Sequence, residues 1–231
     1  MTVHLAEWPP ARHPCQYSDE VIDVLRTLIR PGEHVHDPMA GPGVRLGQLC
    51  DELGCHFTGG DIDGPWINQD LRVTVGADAC DPGSYPAGEF TTVLSPTYAN
   101  VRCADYKDGP TPLTKRKGRR DYALALGHAL HPRNLARFTG GQSRRKTALY
   151  WQGHRDAAKH WKTRVLLNVD LPISEPWQEL LREYSYTIER VIPVYTRRYG
   201  GLHNADKRAD HEVVIVAVKP PGFGPPRRLA A

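Results

Sequence analysis

Short β-prone runs that stop on an acid or a serine, separated by helix-like stretches, constrain this 231-residue chain more than any other feature. The runs are EHVHD (33–37), CHFTGGDID (55–63), RVTVGADA (72–79), EFTTVLSP (89–96) and TRVLLNVD (163–170). They end at or near Asp37, Asp61, Asp78, Ser95 and Asp170. Hydrophobic patterning gives no reason for such endings, whereas a sheet that uses one edge to hold a ligand does. EVIDVLRTLIR (20–30) has apolar residues at helical spacing behind a Ser18-Asp19-Glu20 start, and Pro31-Gly32 stops it. VRLGQLCDEL (44–53), closed by Gly54, ALYWQGHRDAAKHW (148–161) and EPWQELLREY (175–184) also read as helices. YTIERVIPVYT (186–196) and HEVVIVAVKP (211–220) add two strands. The alternation predicts an α/β fold: a mostly parallel seven-stranded sheet with helices on both faces. Ligands in such sheets sit beyond the carboxyl ends of the strands, where strand order reverses.

Composition narrows the setting. No apolar stretch approaches the ~20 residues of a membrane span, and the first residues have neither the basic start nor the apolar segment of a secretory signal. The five cysteines, Cys15, Cys50, Cys55, Cys80 and Cys103, form no C-x-x-C pair. The expectation is a cytoplasmic protein with neither disulfides nor a metal site. The net charge of +4 is unevenly spread: residues 99–160 hold fourteen basic and four acidic side chains, a net of +10 against −6 elsewhere. A field polarised in this way concentrates a polyanion, although a solvated loop is the plainer reading of such a run. The chain is read as one domain over 1–231, with a basic insertion at 99–142 and a disordered Pro/Arg tail at 221–231. Trp151, Trp161 and Trp177 lie in helix-like stretches and are expected in the core, and His154 and His160 are read as structural or surface residues.

Three elements point to chemistry. HDPMAGPG (36–43) is a strand–turn–helix element whose Gly41 and Gly43 let backbone approach a ligand closely. It is neither a Walker A loop nor a full G-x-G-x-x-G, and alone it reads equally well as a tight turn. Asp61, at the end of the second strand, suits a ribose diol, because one carboxylate accepts from two hydroxyls; Asp63 beside it is read as a bystander. Asp78, after the third strand, is placed to accept from an adenine amino group. SPTY (95–98) ends the fourth strand and presents an aromatic with no apolar neighbour.

In order and spacing these elements resemble the class I S-adenosylmethionine-dependent DNA methyltransferases that act on exocyclic amino groups. HPCQYSDEV (13–21) looks like that family's amino-terminal HPxQ element, DPMAGPG like its D-P-[FM]-x-G-x-G cofactor loop, and SPTY like its [DNS]-P-P-[YFW] catalytic loop. GGDID and GADA match its ribose-acid and adenine-contact positions. RRDYALALGHALHPRN, RVLLNV and HEVVIVAV further resemble small methyltransferases encoded by phages and prophages, in which S-P-T-Y is a familiar variant.

The resemblance implies a Rossmann-like class I methyltransferase fold. It also implies an S-adenosylmethionine site formed by Gln16, Tyr17, Asp37, Pro38, Met39, Ala40, Gly41, Gly43, Asp61, Ile62, Asp78 and Ala79. The catalytic residues carried over are Ser95, Pro96, Thr97 and Tyr98. Ser95 Oγ and the Pro96 carbonyl would accept the N–H groups of the amine, and Tyr98 would stack on a base flipped out of the duplex. Transfer would be direct, with no covalent enzyme intermediate. Thr97 stands where the majority pattern has a second proline, which puts the rigidity of the loop in doubt. Lys115, Arg116, Lys117, Arg119, Arg120, Arg144, Arg145 and Lys146 would meet the phosphates of double-stranded DNA. The insertion is short for a recognition domain, so a short site or help from a second copy in a homodimer is expected. Adenine N6 is set slightly ahead of cytosine N4 as the target. The alternatives are methylation of RNA or another amine, and a catalytically weakened protein that binds cofactor and DNA.

Overall fold

The computed structural model describes residues 17–64, 66, 69–96, 131–138, 144–195 and 211–220. Thr97, Tyr98, Gln16, Lys115, Arg116, Lys117, Arg119 and Arg120 lie outside them, as do the tail at 221–231 and most of the proposed insertion.

The chain enters through α1 (Asp19–Leu28), where Ser18 Oγ accepts the Val21 N–H and Asp19 and Glu20 face the positive end of the helix. Its apolar face buries Val21, Ile22, Leu25 and Leu28. There follow β1 (His34–Asp37), α2 (Val44–Glu52), β2 (His56–Asp61), β3 (Val73–Val75) and β4 (Thr91–Leu94). Later in the chain come α3 (Arg144–Ala158), β5 (Arg164–Asp170), α4 (Ser174–Glu183), β6 (Thr187–Tyr195) and β7 (His211–Val218).

The seven strands form one sheet in the order β3-β2-β1-β4-β5-β7-β6. The pairings from β3 through β5 are parallel, and β7 runs antiparallel between β5 and β6. Strand order reverses between β1 and β4, which pair through Val35 with Thr91 and His36 with Thr92. The carboxyl ends of these two strands therefore emerge side by side at the switch point of the sheet.

Alternation of side chains sorts the core into two layers. Val93, Leu166, Val214 and Val216 pack with α1 and α2, through Val21, Leu25, Leu46 and Leu49. Leu94, Val165, Leu167, Val213 and Ile215 face the other way, onto Tyr150 of α3 and Trp177, Leu180 and Leu181 of α4. Both faces are covered, as the sequence predicts. Trp161 and Trp177 are buried and Trp151 packs against the same layer, again as expected. Of the two readings given for His154 the structural one holds: it is fully buried, with its ring edge-on to Tyr150 and Trp177.

α3 starts earlier than the sequence pattern suggests. Its first turn is the charged run Arg144-Arg145-Lys146. The charge there obscures the helical spacing in the sequence.

Candidate active site

The site begins where β1 ends. Asp37 is buried at the strand end, where its Oδ1 accepts the Met39 N–H at 2.9 Å and its Oδ2 accepts the Tyr17 hydroxyl at 3.0 Å. The two sequence elements that hold Tyr17 and Asp37 thus meet directly. Pro38, Met39 and Ala40 lead into a bend in which Gly41 and Gly43 have φ of 55° and 68°. At Gly43, a Cβ would stand 2.5 Å from Val73 Cγ2, so both the dihedral and the space require glycine there. Gly43 also begins α2 with no side-chain cap.

Asp61, at the end of β2, closes the bend. Its Oδ2 accepts the Gly41 N–H at 2.9 Å and its Oδ1 accepts the Asp63 N–H at 2.8 Å. Each carboxylate oxygen has a second lone pair, so a diol finds acceptors here without breaking these bonds. Ile62 follows Asp61 directly. Desolvation pushes the Asp37 and Asp61 carboxyls up to about 7. Both groups have been taken out of water and receive few hydrogen bonds in return.

Asp78 and Ala79 follow β3. Asp78 Oδ1 accepts the Cys80 N–H at 2.8 Å, and its Oδ2 lies 2.8 Å from Arg133 Nε. Asp63 is more than a bystander. It is 7% exposed, accepts the His131 N–H at 2.8 Å, and accepts the Asn134 side-chain amide. Two acids beyond β2 and β3 therefore fasten residues 131–134 over the same edge of the sheet. A link between residues about 70 positions apart leaves no local signal, and sequence reasoning missed both contacts.

Ser95 and Pro96 follow β4 directly, at the strand end beside β1. Asn168 of β5 donates to Ser95 Oγ at 3.5 Å. Arg145 is exposed on the first turn of α3. Cys50, Cys55 and Cys80 are free, and burial pushes the Cys50 and Cys80 thiols up to about 12, where they are poor nucleophiles. Among the described residues no cluster of His, Cys, Asp and Glu is arranged to hold a metal, and no helix is long and apolar enough to cross a membrane.

No family profile matches the chain, and no curated protein matches it in sequence. Solved structures do match. A candidate RNA methyltransferase from Pyrococcus horikoshii aligns with a TM-score of 0.50 at 10% identity, over 92% of this chain and 94% of that one. A precorrin-6y C5,15-methyltransferase from Geobacter metallireducens aligns at 0.47 and 13% identity, over 93% and 95%. A candidate tRNA (m1A22) methyltransferase from Streptococcus pneumoniae, solved with S-adenosyl-L-methionine, aligns at 0.46 and 9% identity, over 93% and 77%. Together with the strand order, the first of these likenesses defines the class of architecture: a Rossmann-like methyltransferase fold with a mostly parallel seven-stranded sheet.

Proposed function

We propose that this protein transfers a methyl group from S-adenosylmethionine to an exocyclic amino group of a base in duplex DNA. One observation carries the reading: the glycine bend held by Asp37 and Asp61 and the Ser95-Pro96 turn leave neighbouring parallel strands at the switch point. A cofactor and an acceptor held at those two turns would be in reach of each other.

The residues suit the cofactor. Two desolvated carboxyls, Asp37 and Asp61, await donors or positive charge, and the bend between them turns on two glycines at positive φ. Asp61 would take the ribose hydroxyls, and Asp37 with Tyr17 would face the methionine end. Asp78 would reach the adenine amino group by sharing its Oδ2 with Arg133 or by releasing it. When bound, S-adenosylmethionine supplies an electrophilic methyl group on a sulfonium.

The acceptor side rests on the chemistry of the amine. Its lone pair is delocalised into the ring, so it is a weak nucleophile until its N–H groups are drawn into hydrogen bonds. Ser95 Oγ and the Pro96 carbonyl would accept them, turning the lone pair towards the methyl group. The cofactor would supply the methyl group as its carbon–sulfur bond gives way to a carbon–nitrogen bond, and the amine nitrogen would then release a proton to an acceptor or to water. Tyr98 would stack on the flipped base, and the cations of the insertion and of Arg144, Arg145 and Lys146 would neutralise phosphates.

RNA is the second reading. The same cations suit either polyanion, and the match at a TM-score of 0.50 is to a candidate RNA methyltransferase. Incubation with labelled S-adenosylmethionine and duplex DNA, RNA or no acceptor separates the two, and binding without transfer would indicate a weakened protein. Ser95→Ala should lower transfer about 100-fold or more while cofactor affinity stays within about twofold. A wild-type rate in that variant would remove the catalytic-loop assignment.

A further inference from the structure

β5 is a buried apolar strand with one polar interruption. Val165, Leu166, Leu167 and Val169 are 0% exposed, and between them Asn168 is 3% exposed. An amide in such a strand is costly unless something needs it. Its Nδ2 donates to Glu212 Oε2 at 3.0 Å and to Ser95 Oγ at 3.5 Å, while its Oδ1 has no partner among the described residues.

Sheet geometry explains why these three side chains meet. Val93, Leu166 and Val214 share the face that packs on α1 and α2. One step of two along each chain reaches Ser95, Asn168 and Glu212, so all three stay on that face. They form a polar row across β4, β5 and β7 at the edge that carries the site. Glu212 also fixes which way the amide points. A carboxylate only accepts, so the amide must turn its NH₂ towards Glu212, and the second hydrogen of that NH₂ is then directed at Ser95.

We propose that Asn168, clamped by Glu212, is a positioning residue that aims the Ser95 hydroxyl at the acceptor amine. This rests on the reading of Ser95 as a catalytic-loop residue. The contact from Asn168 would restrict the rotamer of Ser95 and hold its Oγ where it can accept the amine N–H. The 3.5 Å separation is long for a hydrogen bond, and catalytic contacts of this kind tighten when substrate is present. Glu212 acts through Asn168 and need not touch the substrate.

The test is a kinetic series on the full chain with labelled S-adenosylmethionine and duplex DNA. Asn168→Ala should lower kcat about tenfold or more, with cofactor affinity within about twofold. Glu212→Gln, whose amide oxygen still accepts from Asn168, should keep most of the rate. Glu212→Leu should fall to the level of Asn168→Ala. The Asn168→Ala/Glu212→Leu double variant should be no slower than the slower single, because both changes remove one device.

Rates near wild type in Asn168→Ala and Glu212→Leu, or losses that multiply in the double variant, would overturn the proposal. If Asn168→Ala does not fold, the contrast between Glu212→Gln and Glu212→Leu decides: equal losses in both overturn it. Ser95→Ala in the same assay keeps the two ideas apart. A rate retained there defeats the catalytic-loop reading itself, whereas a rate lost there but kept in the Asn168 and Glu212 variants defeats only this inference.

Discussion

At the scale of single residues, the ionisable groups of the site and core oppose one another. Burial lowers His36 to about 4 and His154 to about 3 from a free value of 6.5. Their contribution to stability is full above 6.5 and is lost as pH falls through those values. Asp37 and Asp61 stand near 7 against a free value of 3.8, so their contribution is full below 3.8 and is lost as pH rises through 7. Between about 4 and 6.5 the two pairs offset each other in the cofactor-free protein, and its melting temperature should vary little. Ribose hydroxyls and a positively charged methionine end favour ionised carboxylates. Cofactor affinity should therefore fall on acidification below pH 7, by up to about tenfold per unit for each carboxyl. Calorimetric titration from about pH 8 to about pH 5 checks this, and an affinity independent of pH would show that neither carboxyl meets the cofactor.

At the scale of elements, much of the architecture was legible and some of the wiring was not. β1, β2, β4, β5 and β7 stood out because each is a buried run with turn signals or acids at its ends. β3 shrinks to Val73–Val75, because GADA belongs to the loop beyond it. The bend from Asp37 to Gly43 could be read from glycines that only a tight approach requires. Asp63, Arg133, Asn168 and Glu212 could not be read as partners, since their contacts join distant segments. A usable clue was present in Asn168, a lone amide within an apolar strand. The tie from Asp63 to His131 and Asn134 is testable alone. Asp63→Ala removes both hydrogen bonds and should cost about 1–3 kcal/mol. It should also speed amide hydrogen exchange across 131–138 more than in α1. Unchanged exchange in that segment would mean the tie does not hold it.

At the scale of the whole molecule, charge separation is the dominant property. A net of +10 over residues 99–160 against −6 elsewhere would, on the proposed reading, draw the chain to a polyanion before any base is read. About four phosphate contacts would make duplex affinity fall about 100-fold between roughly 50 and 200 mM salt. Fluorescence anisotropy across that range measures the slope, and a flat response would remove phosphate neutralisation as the source of binding.

The position of β7 has a consequence for how the protein comes into being. It comes after every other described strand in the chain, yet it lies inside the sheet, between β5 and β6. A nascent chain that stops short of residue 211 has β5 with a raw edge, β6 with nothing to pair to, and no Glu212. Closure must wait for this late segment to slot into the middle, a long-range step of the kind that slows folding. Stability and the polar row beside Ser95 then arrive together, so a shortened chain gains neither.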